Sequence, residues 1–147
     1  MTTGLVVFGL GERVFATSLD DVREIVRLQG LEPLPGMAPP LAGVIVLRGV
    51  PLPVLDVRAA GAPTDAGDVL VMTAGSDVVG VAVDAVHSVV GPGELPEAEA
   101  SPASVLPAYV VGVRTGPEGP VLQVDLARLL DVAAAGWEAA LGPLLPV

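Results

Sequence analysis

"GERVFATSLDDVREIV", residues 11–26, returns 64 residues later as "GSDVVGVAVDAVHSVV", residues 75–90. Gly11/Gly75, Val14/Val78, Asp20/Asp84, Val22/Val86 and Val26/Val90 are identical, and the apolar pattern agrees at most other positions. Each copy reads as a strand, a glycine turn, a second strand, a single helical turn opened by aspartate, and a third strand. A second pair follows in the same order. "GVIVLRGVPLPVLDVRAA" (43–60) overlies "GVRTGPEGPVLQVDLARL" (112–129) at an offset of 69, sharing Gly43/Gly112, Val44/Val113, Pro51/Pro120 and Asp56/Asp125. The growth in offset is extra loop, visible as "GPGELPEAEASPASVLP" (91–107) against "LEPLPGMAPP" (31–40). Two blocks in one order point to an internal duplication. It predicts a single domain over 1–147 with halves at 5–66 and 67–130, each supplying about five short strands, some of them open to exchange between halves.

Composition supports a β protein. The 147 residues are enough for one domain with a real core. With 52% hydrophobic and 16% charged residues the chain is not disordered. Aromatics are only 3%, and 18 Gly and 15 Pro punctuate stretches rich in Val, Leu and Ala, which favours short strands over a bundle. The longest charge-free run, residues 33–47, holds four prolines and is too short and broken to span a bilayer. "MTTGLVVFGLGER" has no basic region before its apolar stretch, unlike a signal peptide. The expectation is a soluble cytoplasmic protein without membrane insertion. The Ala-rich end predicts a C-terminal helix from Asp131 to Leu141 in the tail 131–147, with Trp137 and Leu141 on one face.

The same composition removes most chemistry. Net charge is −10, carried against seven arginines and no lysine, so nucleic-acid binding is not expected. Without cysteine or lysine there is no thiol nucleophile, thiolate zinc site, P-loop or Schiff base. His87 is the one histidine and has no second imidazole to share a metal. No cofactor, metal or catalytic residue is expected. Asp56 and Asp125 are related by the duplication, as in an aspartic dyad, but their contexts "DVR" and "DLA" lack the hydroxyl and glycine of such sites. They read instead as N-caps of short helices, with Asp20 and Asp84 read as caps too. A small-molecule binder between the two halves would need converging polar groups, of which the chain offers few.

Within "GVIVLRGVPLPVLDVR" (43–58), Val50, Leu52 and Val54 alternate as strand residues do. Proline cannot donate a ladder hydrogen bond, which puts Pro51 and Pro53 on an edge or at a bulge. "RG" at 48–49 is then a hairpin tip or a tight bend, with Arg48 near solvent and its stem on apolar surface. Such an arginine serves either an ion pair or a protein contact.

The stretch "LAGVIVLRGVPLPVLDVR" resembles the signature of the CheW-like family, G-V-I-x-L-R-G-x-x-x-P-V-x-D-L-R. The blocks "VVFGLGERVFATSLDDVREIV", "VGVAVDAVHSVV" and "YVVGV…VLQVDLARLL" are similar to the rest of that pattern, so residues 5–130 are covered. The resemblance implies two intertwined, pseudo-symmetric five-stranded SH3-like β-barrels with short helices. It also implies a non-enzymatic adaptor coupling the cytoplasmic hairpin tip of chemoreceptors to the regulatory domain of a CheA-type histidine kinase. By matched position, Val22 and Glu24 fall on the receptor-facing strand. Gly43 and Arg48 are the motif glycine and arginine, and Gly80, Val86 and Val89 match second-half partner positions. The resemblance further implies an ion pair between Glu24 and Arg48, at the junction of the barrels. Val46 stands where many members carry Asn, and the 91–107 loop is unusually rich in Pro and Glu. Those departures leave room for an adaptor of another motility, developmental or second-messenger pathway.

Overall fold

The computed structural model describes residues 4–36, 41–59, 61–74, 77–98 and 107–128. Ten strands run in order among them: β1 Leu5–Leu10, β2 Arg13–Ser18, β3 Val22–Arg27, β4 Leu41–Leu47, β5 Val50–Asp56, β6 Asp68–Ala74, β7 Asp77–Val83, β8 Ala85–Val90, β9 Val110–Gly116 and β10 Gly119–Val124. Helix is confined, among the described residues, to 3-10 turns at Leu19–Asp21 and Pro92–Glu94 and a helical start at 126–128. None of these is long and apolar enough to cross a membrane.

The strands form two five-stranded sheets. The first has the order β8-β1-β2-β10-β9 and the second β3-β6-β7-β5-β4. Replacing each of β1–β5 by its repeat partner among β6–β10, and the reverse, turns one order into the other. The sheets do not follow the halves 5–66 and 67–130, because each draws strands from both. In each sheet a parallel pair joins the two repeats: β10 lies on β2 with Gln123 opposite Ala16, and β5 on β7 with Val54 opposite Gly80. Even the irregularities repeat. The β1–β8 ladder slips past His87, and the β3–β6 ladder slips past its counterpart Arg23.

Three clusters of buried side chains hold the sheets. The largest lies between them and joins Val6, Phe8 and Phe15 of the first to Leu70, Met72 and Val81 of the second. Phe8 and Phe15 stack with centroids 5.8 Å apart, and Tyr109 joins them, so three of the chain's four aromatic residues serve this seam. Each such fully buried side chain contributes about 1.5–3 kcal/mol of transfer free energy. The second cluster fills the outer concavity of the second sheet with Leu28, Ile45, Leu52, Val54, Val69, Val71 and Ala82. The third, on the first sheet, is smaller: Leu5, Val7, Ala16, Leu95 and Val121. β1 is buried on both faces, which is why "LVVFGL" reads as a continuous apolar run.

Several local expectations meet a different outcome. Pro51 and Pro53 sit in β5, between β4 and β7, and not on an edge strand. They are tolerated because the β7 pairing begins at Val54, beyond both, and backbone alternation turns their nitrogens toward that unpaired side. The turn between β4 and β5 is the expected "RG" tip, with Arg48 at φ 49° and Gly49 at φ 81°, the pair of positive angles that a tight two-residue hairpin turn needs. Ser18, not Asp20, caps the first 3-10 turn, its hydroxyl accepting from Asp20 N at 3.3 Å. Asp84 opens no helical turn; its carboxylate accepts from Gly11 N and ties β7 to the β1–β2 hairpin. Asp125 does cap, accepting from Arg128 N at 3.1 Å. Asp56 caps no helix, since none follows it; its carboxylate accepts from the backbone N–H of Arg58 at 3.0 Å and from that residue's guanidinium. The predicted C-terminal helix 131–141, with Trp137 and Leu141, lies outside the described residues.

Candidate functional site: an ion pair across sheet edges and its open counterpart

Cross-strand pairing places Glu24, Val71, Gly80, Val54 and Gly43 in one row across the second sheet, from its β3 edge to its β4 edge. Three of the residues singled out by sequence thus share a line. Side chains of one row share a face, here the filled concavity. The two glycines are there because nothing larger fits. A Cβ on Gly80 would stand 2.6 Å from Val69 Cγ1 and 3.2 Å from Leu52 Cδ2. A Cβ on Gly43, whose φ is 154°, would fall on the Glu32 carbonyl, where Glu32 pairs with Val44 and covers β4.

At the β3 end of the row, Glu24 meets Arg48. Both guanidinium nitrogens donate to the carboxylate, Nη1 to Oε2 at 3.0 Å and Nη2 to Oε1, a two-pronged contact. β3 and β4 are the outermost strands of the sheet, so the pair bridges its β3 edge and the turn that follows β4. The pair therefore lies within one sheet and not at the junction of the two. The Arg48 side chain is 70% exposed and that of Glu24 32%. The hydrogen bonds from Arg48 hold the Glu24 carboxyl below its ordinary value and push the Arg48 guanidinium up.

Around Arg48 the surface is apolar. Val46 is 71% and Val50 63% exposed, the two most exposed of the large aliphatic side chains described. The other nominated residues are not gathered here. Val22 on β3 is buried in the seam between the sheets, and Val86, its repeat partner on β8, packs against the same seam. Val89 is exposed on β8, and its repeat partner Ile25 is exposed on β3.

The equivalent row in the first sheet runs Ser88, Val7, Ala16, Gln123, Gly112. Ser88 stands for Glu24 and, at the β9–β10 turn, Pro117 for Arg48, so the edge-to-edge tie is absent. Its place is taken by a groove of about 660 Å³ that both residues line, with a floor that includes Val7, Val14 and Val121. Gly116, which lines it, stands at the position of Leu47, and Arg114 at that of Ile45. Arg114 is satisfied within the sheet, donating to Gln123 Oε1 and to the Leu95 carbonyl, both at 2.7 Å. Sequence reading missed this groove. Its only signal was the mismatch between the two repeats at those positions.

The buried Arg58 was missed as well. Its Nε and Nη2 donate to the two oxygens of Asp56, and Nη1 to the Ala66 carbonyl at 2.7 Å, which ties Ala66 to the end of β5. Asp56 and Asp125 are each committed to their own arginine, Arg58 and Arg128, and do not form a dyad. Burial, with the charges of Asp125 and Asp20, raises the Asp21 carboxyl. No cluster of metal-ligating side chains occurs among the described residues.

The sequence model of the CheW-like domain matches residues 4–134. The chain belongs to the CheW-like family. A curated relative, the chemotaxis protein CheW of Rhizobium meliloti (strain 1021), is 36% identical over 90 residues, which is 58% of either chain. The crystal structure of the scaffolding protein TtCheW from Thermoanaerobacter tengcongensis superposes with a TM-score of 0.67 at 22% identity, over 86% of each chain. That likeness establishes the fold of two five-stranded sheets. Proteins of the CheW-like family are scaffolds, not enzymes.

Proposed function

We propose that this protein is a chemotaxis coupling scaffold that joins the cytoplasmic hairpin tip of chemoreceptors to the regulatory domain of a CheA-type histidine kinase. The observation that carries this reading is the family match over 4–134, together with an exposed apolar tip around Arg48, whose guanidinium donates to Glu24. A protein without bond-making chemistry transmits a signal only by contacting two partner states unequally. Val22, Glu24, Gly43, Arg48, Gly80, Val86 and Val89 are the residues assigned to that contact. Glu24, Arg48 and Val89 are open enough to touch a partner, whereas buried Val22, Gly43 and Gly80 act by shaping the strands beneath. Small apolar patches of this kind bind weakly one at a time, and an ordered receptor array supplies avidity. The protein works in the cytoplasm and reaches the membrane only through its receptors.

The test is reconstitution with a receptor fragment and a CheA-type kinase. The expected result is co-purification of the three and receptor-dependent control of autophosphorylation. Arg48→Glu should abolish receptor pull-down while the melting curve stays close to that of the unaltered protein. A folded protein that binds neither partner refutes the chemotaxis reading and leaves a scaffold of another signalling pathway.

A further inference from the structure

The duplication supplies its own control. In the second sheet the concavity is plugged by Ile45, Leu47 and Leu52 and its mouth is crossed by Glu24–Arg48. In the first sheet the plug positions carry Arg114 and Gly116, the crossing residues are Ser88 and Pro117, and a groove of about 660 Å³ remains. That volume lies within the roughly 300–1,000 Å³ range of small-ligand sites, and Val7, Leu95 and Val121 of its lining belong to the first sheet's own cluster.

We propose that this groove binds a small amphiphilic cation, an alkylamine or alkylguanidine. Its chain lies on Val7, Val14 and Val121, where the second sheet supplies its own aliphatic side chains. Its charge meets Glu12 and Glu118. These two carboxylates line the groove and take part in no hydrogen bond or ion pair among the described residues. Glu94, also lining it, uses one oxygen to accept from Gly91 N. Among the lining residues three carboxylates thus stand against the Arg13 guanidinium and the His87 imidazole, and the chain's net charge of −10 further disfavours an anionic ligand. A charged nitrogen between carboxylates gains charge-assisted hydrogen bonds that a neutral head group does not. This site is separate from the Arg48 tip, and its test does not depend on the coupling role.

The experiment titrates the full chain with n-hexylammonium, n-hexanol and hexanoate, following backbone amide shifts. The expected result is saturable hexylammonium binding with shifts on β1, β2 and β10. Hexanol should bind about tenfold more weakly, a difference of one charge-assisted contact, and hexanoate not at all. Glu12→Gln with Glu118→Gln should bring hexylammonium down to the hexanol level. Val14→Trp, on the half-buried floor, should remove both. If that variant does not fold, Ser88→Glu with Pro117→Arg, which copies the edge tie of the second sheet, should close the groove instead. Equal binding of hexylammonium and hexanol, shifts confined to the second sheet, or no saturation would each overturn the proposal.

Discussion

The second sheet is filled from within and tied across its edges, whereas the first, built on the same strand order and register, is left hollow at the corresponding place. The backbone plan is therefore set by the pattern the repeats share, and a handful of positions at which they differ decide what each concavity can do. Leu47 against Gly116 and Glu24 against Ser88 mark where a packed interior gives way to an open one without moving a ladder. Arg114 can stand in a position built for isoleucine because Gln123 and the Leu95 carbonyl satisfy its guanidinium.

Exchanging side chains between equivalent positions breaks or sharpens this contrast. The largest effect is expected from Ile45→Ala, which removes the plug of the second sheet and should cost about 3 kcal/mol in denaturant unfolding. Next comes the glycine pair at the ends of the two rows. Gly43→Ala drives a methyl onto the Glu32 carbonyl, which is backbone and yields little, and should cost about 2 kcal/mol. Gly112→Ala meets only Gln123, with Oε1 at 3.7 Å, and should stay within about 0.5 kcal/mol of the unaltered protein. Equal losses at the two sites would mean that the repeats are more alike than their packing indicates.

A smaller, opposite effect is expected at Thr17. Its hydroxyl is fully buried with no hydrogen-bond partner, and its repeat partner is Val81. Thr17→Val copies that residue and should raise stability by about 1 kcal/mol, read as a higher denaturation midpoint with unchanged slope. The smallest effect belongs to the ion pair. Folding lowers the Glu24 carboxyl below its ordinary value of 4.5, so the pair stabilises the protein above that pH and loses its effect as the pH falls through the depressed value. Arg48→Ala should therefore melt slightly below the unaltered protein at neutral pH and coincide with it in acid. Added salt should narrow the gap at neutral pH.

Much of this architecture was legible in the chain because duplication leaves its mark at paired glycines, paired aspartates and alternating valines. Gly11/Gly75 and Asp56/Asp125 fix the offsets, and the offsets locate the strands. Partner choice between strands is another matter. Nothing local in "VPLPVLD" says that β5 turns to β7 of the other repeat, since a parallel pairing is decided by which apolar faces meet across the seam. Asp56 was misread for a related reason. Its context suits a helix cap, and its carboxylate does accept from the Arg58 backbone N–H, but the buried Arg58 side chain binds the same carboxylate and no helix follows. The groove escaped because it arises from substitutions that look unremarkable singly, and only their spatial convergence empties the site. The Glu24–Arg48 contact came from the family resemblance, since no spacing rule links β3 to the tip beyond β4.

The exchange of strands also sets a timetable for the nascent chain. The second sheet is complete once Val83 has emerged, since it needs only β3 to β7. The opening hairpin β1–β2 must wait for β8, β9 and β10, the last ending at Val124, and a lone two-stranded ribbon is marginal in water. Between Val83 and Val124 the growing polypeptide therefore carries one completed sheet and a sticky, unmatched ribbon. Ribosome-held chains stalled between those two points are where aggregation and chaperone capture should concentrate.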